Sequence, residues 1–188
     1  MDNQVSNAIP FKLALGNKVG PGNFHYLPEF AGCSFAEDKT VDADPDRIIQ
    51  RAWNSRWLRQ TESVEFTTLD KWAEEHSIDR IDFIKMDVEG SEYFVLKGGE
   101  TIFRKFKPIL FTELNTMCLA TYFGLPPISY FDALKNIYPF IYVLLPTGNQ
   151  VRRLVTYSDL TPLLTTTRWW ADLLCTTRPI QACQRDDP

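Results

Sequence analysis

The densest chemistry in this chain lies between Asp87 and Glu92. The run Asp87-Val88-Glu89-Gly90-Ser91-Glu92 puts three carboxylates within six residues, where an apolar stretch gives way to a helical pattern. A further acid, Glu113, stands near the end of a second apolar stretch, in Thr112-Glu113-Leu114-Asn115. Grouped carboxylates have two chemical uses. One removes a proton from a hydroxyl as that hydroxyl attacks an electrophile. The other binds a hard cation through oxygen ligands. A plainer reading makes them helix-start acids, each stabilised by the helix dipole by about 0.3–1 kcal/mol. Spacing alone leaves these readings open. Gly90 permits a tight turn and a close backbone approach by a ligand.

Such a group works only if the chain brings it to one rim. Ile81 to Val88 is apolar nearly throughout, as expected of a strand covered on both faces in a parallel sheet, and Ile109 to Leu114 is a second such strand. Ligands of open parallel sheets bind beyond the carboxyl ends of the strands, so adjacent parallel placement would aim Asp87, Glu89 and Glu113 at a common edge. Around these strands the reading is as follows. Val64 to Thr67 forms a strand, and Thr68 caps a helix with Leu69, Trp72, Ala73 and His76 on one face. Ser91 to Lys105 is helical with an interruption at Gly98-Gly99, and Pro108 ends it. Pro127 to Tyr138 is a helix, and Phe140 to Leu145 and Gln150 to Val155 form a hairpin across Pro146-Thr-Gly-Asn149. Thr166 to Cys175 reads as a closing aromatic helix. The alternation argues for a doubly wound α/β fold.

Upstream, Phe11 to Leu15 and Asn23 to Leu27 read as antiparallel neighbouring strands joined by a turn through Gly16–Gly22. Residues 28 to 44 read as irregular. Asp44-Pro45 starts a helix to about Gln60 that groups Arg47, Arg51, Arg56 and Arg59 with Trp53 and Trp57, a solvated face or an anion-binding one.

Composition narrows the class. The chain has 188 residues, 44% apolar and 13% aromatic, and carries a formal net charge of −4. That suits one domain over 1–178 with a frayed tail at 179–188, and opposes general nucleic-acid binding. The scattered Cys33, Cys118, Cys175 and Cys183 suggest reduced thiols, and no metal site is assigned. No signal peptide or membrane span is read, which points to the cytoplasm. His25 and His76 lack metal-like spacing; His76 reads as a packed or rim residue of its helix.

Ile81-Asp-Phe-Ile-Lys-Met-Asp-Val-Glu-Gly-Ser-Glu92 resembles the hallmark of FkbM-family methyltransferases. In the family's order come Thr67-Thr68-Leu69-Asp70 before it, then Val95-Leu96-Lys97-Gly98, Lys107-Pro108-Ile109-Leu110 and Glu113 after it. The likeness covers residues 64 to 145, and a looser one reaches back to Leu13-Ala14-Leu15-Gly16. It implies a class I methyltransferase fold, a mostly parallel sheet with an antiparallel carboxyl-terminal hairpin. It implies S-adenosylmethionine as cofactor and methylation of a hydroxyl on a sugar, lipid or other small acceptor. It would set Asp87 near the methionine or sulfonium, Glu89 and Glu113 against the acceptor hydroxyl, and Ala14 and Leu15 beside the adenine.

The sequence departs from that pattern at its start. A strand, glycine-rich loop and helix that would meet the cofactor are not found. Gly16-Asn-Lys-Val-Gly20-Pro-Gly22 has the wrong spacing, and Pro21 and Pro28 oppose a following helix. The expectation is a fold whose amino-terminal strands are missing. A non-catalytic remnant or interaction domain stands as the alternative to an enzyme.

Overall fold

Residues 6–27, 30–37, 60–145, 150–164 and 169–180 are described by the computed structural model. The expected helix over 44–60 and its Arg and Trp cluster lie, apart from Gln60, outside these residues. So do the hairpin connection 146–149 and the tail from 181 onward.

The first four strands are β1 (Ala14–Leu15), β2 (Gly20–Leu27), β3 (Phe30–Glu37) and β4 (Gln60–Thr67). They form a sheet in the order β1-β4-β2-β3, with β1 parallel to β4 and β2 antiparallel to both its neighbours, so β4 separates the two strands expected to pair, and the first is Ala14–Leu15 instead of Phe11–Leu15. β3 replaces the irregular stretch expected after residue 28. Gly32 and Ser34 are poor strand formers, and pairing with the neighbouring β2 overrides them. β2 also starts earlier than expected, at Gly20, whose φ is 133°. Pro21 is tolerated because β3 pairing begins only at Asn23, so at Pro21 one side of β2 is open.

After β4, Thr68 caps α1 (Leu69–Glu75), its hydroxyl accepting from the Lys71 amide at 3.1 Å. Then come β5 (Phe83–Met86), α2 (Glu92–Gly98), α3 (Glu100–Phe106) and β6 (Ile109–Asn115). The Gly98-Gly99 interruption is a real break between two helices. Gly99 has no side chain to cap α3, and Asp70 does so from α1: its carboxylate accepts from the Thr101 and Ile102 amides at 3.1 and 2.9 Å. The chain continues through α4 (Thr116–Phe123), α5 (Pro127–Lys135), β7 (Phe140–Leu144), β8 (Val151–Leu154), a 3-10 turn (Tyr157–Asp159), α6 (Thr161–Leu164) and β9 (Trp170–Thr176).

These strands form a second sheet in the order β5-β6-β9-β7-β8. Two expectations are corrected here. Residues 170–176 are a strand, not a helix: Ala171, Leu173 and Cys175 are buried in the two-residue alternation of a strand, which the aromatic-rich stretch hides in sequence. The hairpin of β7 and β8 exists, but β8 is its outer strand, and β9 inserts between β6 and β7. Both sheets are therefore mixed, and among the described pairs only β1/β4 and β5/β6 are parallel. β6 and β7, each antiparallel to β9, run the same way.

The main core packs around the second sheet. Phe103, Leu110, Leu114, Leu119, Tyr130, Phe131, Leu134 and Leu173 are fully buried within it. The two sheets meet where the turn after β1 lies on the end of α2. A Cβ on Gly98 would collide with the Gly16 carbonyl, so two backbones touch with no side chain between them.

Candidate active site

Glycine and helix-start chemistry shape the loop after β5. Glu89 and Gly90 both adopt left-handed backbone, with φ of 53° and 95°. The conformation is free for glycine but costs a non-glycine residue roughly 1–2 kcal/mol. Space also demands glycine at 90, where a Cβ would stand 2.8 Å from the Cys118 Cβ. The loop thus lies flat on the first turn of α4. Glu92 braces it from beneath. This side chain is 0% exposed, and its Oε1 accepts from the Val88 amide at 2.9 Å. Burial pushes its carboxyl up to about 7, while the Val88, Gly90 and Glu92 amides hold it lower. The helix-start reading therefore describes Glu92.

The other acids point elsewhere. Asp87 Oδ2 pairs with Lys85 Nζ at 2.6 Å, on a half-exposed surface. Glu89 is half-buried, and burial first, then Glu113 and Asp87, push its carboxyl up to about 7. The Cys118 thiol donates to Glu89 Oε2 at 3.7 Å and partly offsets this. Glu113 reaches the group from β6. Burial raises its carboxyl, a hydrogen bond from Asn115 Nδ2 at 3.0 Å opposes the rise, and Asp87 and Asp172 add to it. Burial and the surrounding acids raise the Cys118 thiol, which keeps it from acting as a thiolate.

A cleft of about 1550 Å³ opens beside this group. Leu13, Ala14 and Leu15 line one side; residues 83–89 line the other. Successive strand residues point to opposite faces, so consecutive residues can line one cavity only where a strand turns its edge to it. β1 has β4 as its one partner and β5 has β6 among the described residues, so two free strand edges border the cleft.

The cleft thus brings together Ala14, Leu15, Asp87 and Glu89. Glu113 is not on its wall but is coupled electrostatically to Asp87 and Glu89 from the next strand. A polar ligand fits this lining: the Ser91 hydroxyl is buried, borders the cleft and has no hydrogen-bond partner among the described residues. Glycines 16, 20 and 22 lead into β2 rather than a helix, so no strand–glycine loop–helix cradle occurs among the described residues.

Four neighbours of the acids escaped the sequence reading. Lys85 precedes Asp87 by two residues, a same-face spacing that was legible. Asn115 ends β6 and caps α4, and Cys118 lies in its first turn, signalled by an Asn cap before Thr-Met-Cys-Leu. Asp172, opposite Glu113 in the β6/β9 register, was hidden by the misread β9. The histidines stand apart from the cleft lining. His25 is buried and bonded to the Thr61 hydroxyl at 3.0 Å, and His76 is exposed and stacked on Trp72.

Residues 2–132 match the family model described as the methyltransferase FkbM domain. No curated protein and no solved structure matches the chain. Among the described residues, no helix is long and apolar enough to cross a membrane.

Proposed function

Since the chain belongs to the FkbM methyltransferase family, we propose that it transfers a methyl group from S-adenosylmethionine to a hydroxyl oxygen of a sugar, lipid or other small acceptor. The observation that carries this reading is the single cleft on which Ala14, Leu15, Asp87 and Glu89 meet. Ala14 and Leu15 offer an apolar edge for the adenine. Asp87, at the carboxyl end of β5, offers a carboxylate to the methionine amine or the sulfonium. When bound, S-adenosylmethionine supplies an electrophilic methyl group. The acceptor hydroxyl must lose its proton as it is methylated, and a carboxylate near neutral pKa is matched to that task. Glu89, at about 7, has that property, and Glu113, off the cleft wall on β6 but coupled to Glu89, is assigned to orient or deprotonate the same hydroxyl at the cleft's rim.

A second reading is favoured by a specific observation. The free edges of β1 and β5 offer unpaired backbone groups to added strands, as an interaction domain or non-catalytic remnant would. Calorimetric titration with S-adenosylhomocysteine separates the two. The enzyme reading expects binding in the roughly 10 μM–1 mM range, about tenfold weaker in Asp87→Ala. Equal affinity of the two proteins would remove Asp87 from the site. No heat at about 10 mM ligand would leave the second reading standing.

A further inference from the structure

We infer that Asn115 is a positioning residue for Glu113: its buried amide is locked at one end by α4 and at the other holds Glu113 Oε1, leaving Oε2 as the proton-accepting atom. The inference rests on the reading that Glu113 serves the acceptor hydroxyl.

The orientation of the Asn115 amide is fixed by chemistry. Its Oδ1 faces the Cys118 backbone N–H at 3.0 Å, and that group can only donate. Oxygen must therefore occupy this end, and the NH₂ must occupy the other, where Nδ2 lies 3.0 Å from Glu113 Oε1. Asn115 is 7% exposed, so rotating the amide would strip the cap from α4 and leave a buried donor against a donor. The spacing suits the arrangement, since residues 113 and 115 lie two apart on one strand and share a face. Ser, Asp and Asn all cap helices well, but only Asn accepts at one end and donates at the other. The cap alone does not require asparagine. Cap and Glu113 together do.

The surroundings explain why Glu113 needs such a donor. Asp87 and Glu89 face it from the loop after β5, Asp172 from β9, and Glu92 from the start of α2. The Cys118 thiol of α4 is coupled to the same group. Lys85 is the opposing cation, and it already pairs with Asp87. Burial and like charge both favour the protonated carboxyl, and a protonated Glu113 cannot take a proton from an acceptor. A hydrogen bond to the ionised form counters this.

The test follows Glu113 directly. Side-chain carboxyl carbon NMR, with Glu113→Gln identifying the signal, gives the titration midpoint in wild type, Asn115→Ser and Asn115→Asp. Serine keeps the cap and is too short to reach Glu113; aspartate keeps the cap and sets a carboxylate against it. The expected result is a midpoint raised by about one pH unit, tenfold in proton affinity, in the serine variant and further in the aspartate variant. A midpoint within about 0.2 unit of wild type, with the Cys118 amide still protected from exchange, overturns the inference. If serine fails to hold the cap, the aspartate variant decides by the same criterion. Turnover by Glu113→Gln at the wild-type rate would instead break the reading of Glu113 as a base, and the titration would be untouched by it.

Discussion

The two sheets of this protein are built on different terms. The five-stranded sheet is wrapped by helices and, among the described residues, carries nearly all the large buried side chains. In the four-stranded sheet, β4 exposes most of its length, and the buried groups include the polar His25 and Thr67. Among these residues the main apolar core lies from 69 onward, and the expectation is that this half carries most of the stability. The cleft lies along the border between them. Its Asp87 and Glu89 wall follows β5 of the five-stranded sheet, and its Ala14 and Leu15 wall is β1 of the four-stranded one.

The comparison can be broken by substitution. Phe103→Ala, at a position 0% exposed within the main core, should cost about 3–5 kcal/mol by urea unfolding. A cost below about 1 kcal/mol would deny that this half holds the stability. Glu92→Gln comes next. A glutamate carboxyl ordinarily near 4.5 sits near 7 in the folded chain. The native state therefore holds a proton that the unfolded chain releases between those values, and stability falls as pH rises through this window. Glutamine removes that loss, so the variant should gain on the order of 3 kcal/mol over wild type at pH 8 and nothing near pH 4. Thermal unfolding at both pH values reads the difference, and an equal effect at both would exclude proton linkage at Glu92.

Asp70→Ala should cost about 1–2 kcal/mol, because it strips the remote cap from α3. Faster amide exchange at Thr101 and Ile102 should accompany the loss. Smallest is Tyr26→Phe on β2. It removes exposed hydrogen bonds to Gln60 and Glu62 and should stay within about 0.5 kcal/mol. A larger drop would show that the first sheet contributes more than its sparse packing indicates.

Much of this was legible in residue order. Thr68 before Leu69, the Gly98-Gly99 break and the apolar run 109–114 announced their elements, because capping and helix interruption are local effects; the run 81–88 did hold a strand, but β5 is shorter and exposes Phe83 and Lys85 where a strand covered on both faces was expected. β5 and β6 are adjacent and parallel, which couples Asp87, Glu89 and Glu113 electrostatically, but only Asp87 and Glu89 line the cleft. β9 was not legible. Trp-Trp-Ala-Asp-Leu-Leu-Cys suits a helix as well as a strand, and only insertion between β6 and β7 decides it. Losing β9 also hid Asp172, whose place opposite Glu113 exists only in the paired register. Glu92 shows the reverse failure. Sequence grouped it with its neighbours as one acidic unit, yet burial separates it from them as a structural brace.

The contact of Gly16 on Gly98 sets a limit on how this protein can change. Side chains at a joint can be exchanged for slightly larger or smaller ones, so most joints drift by degrees. Here main chain rests on main chain, and the smallest possible substitution at Gly98 already meets a carbonyl oxygen. The seat of the turn after β1 on the end of α2 is consequently something the sequence can preserve or lose, with no graded settings between.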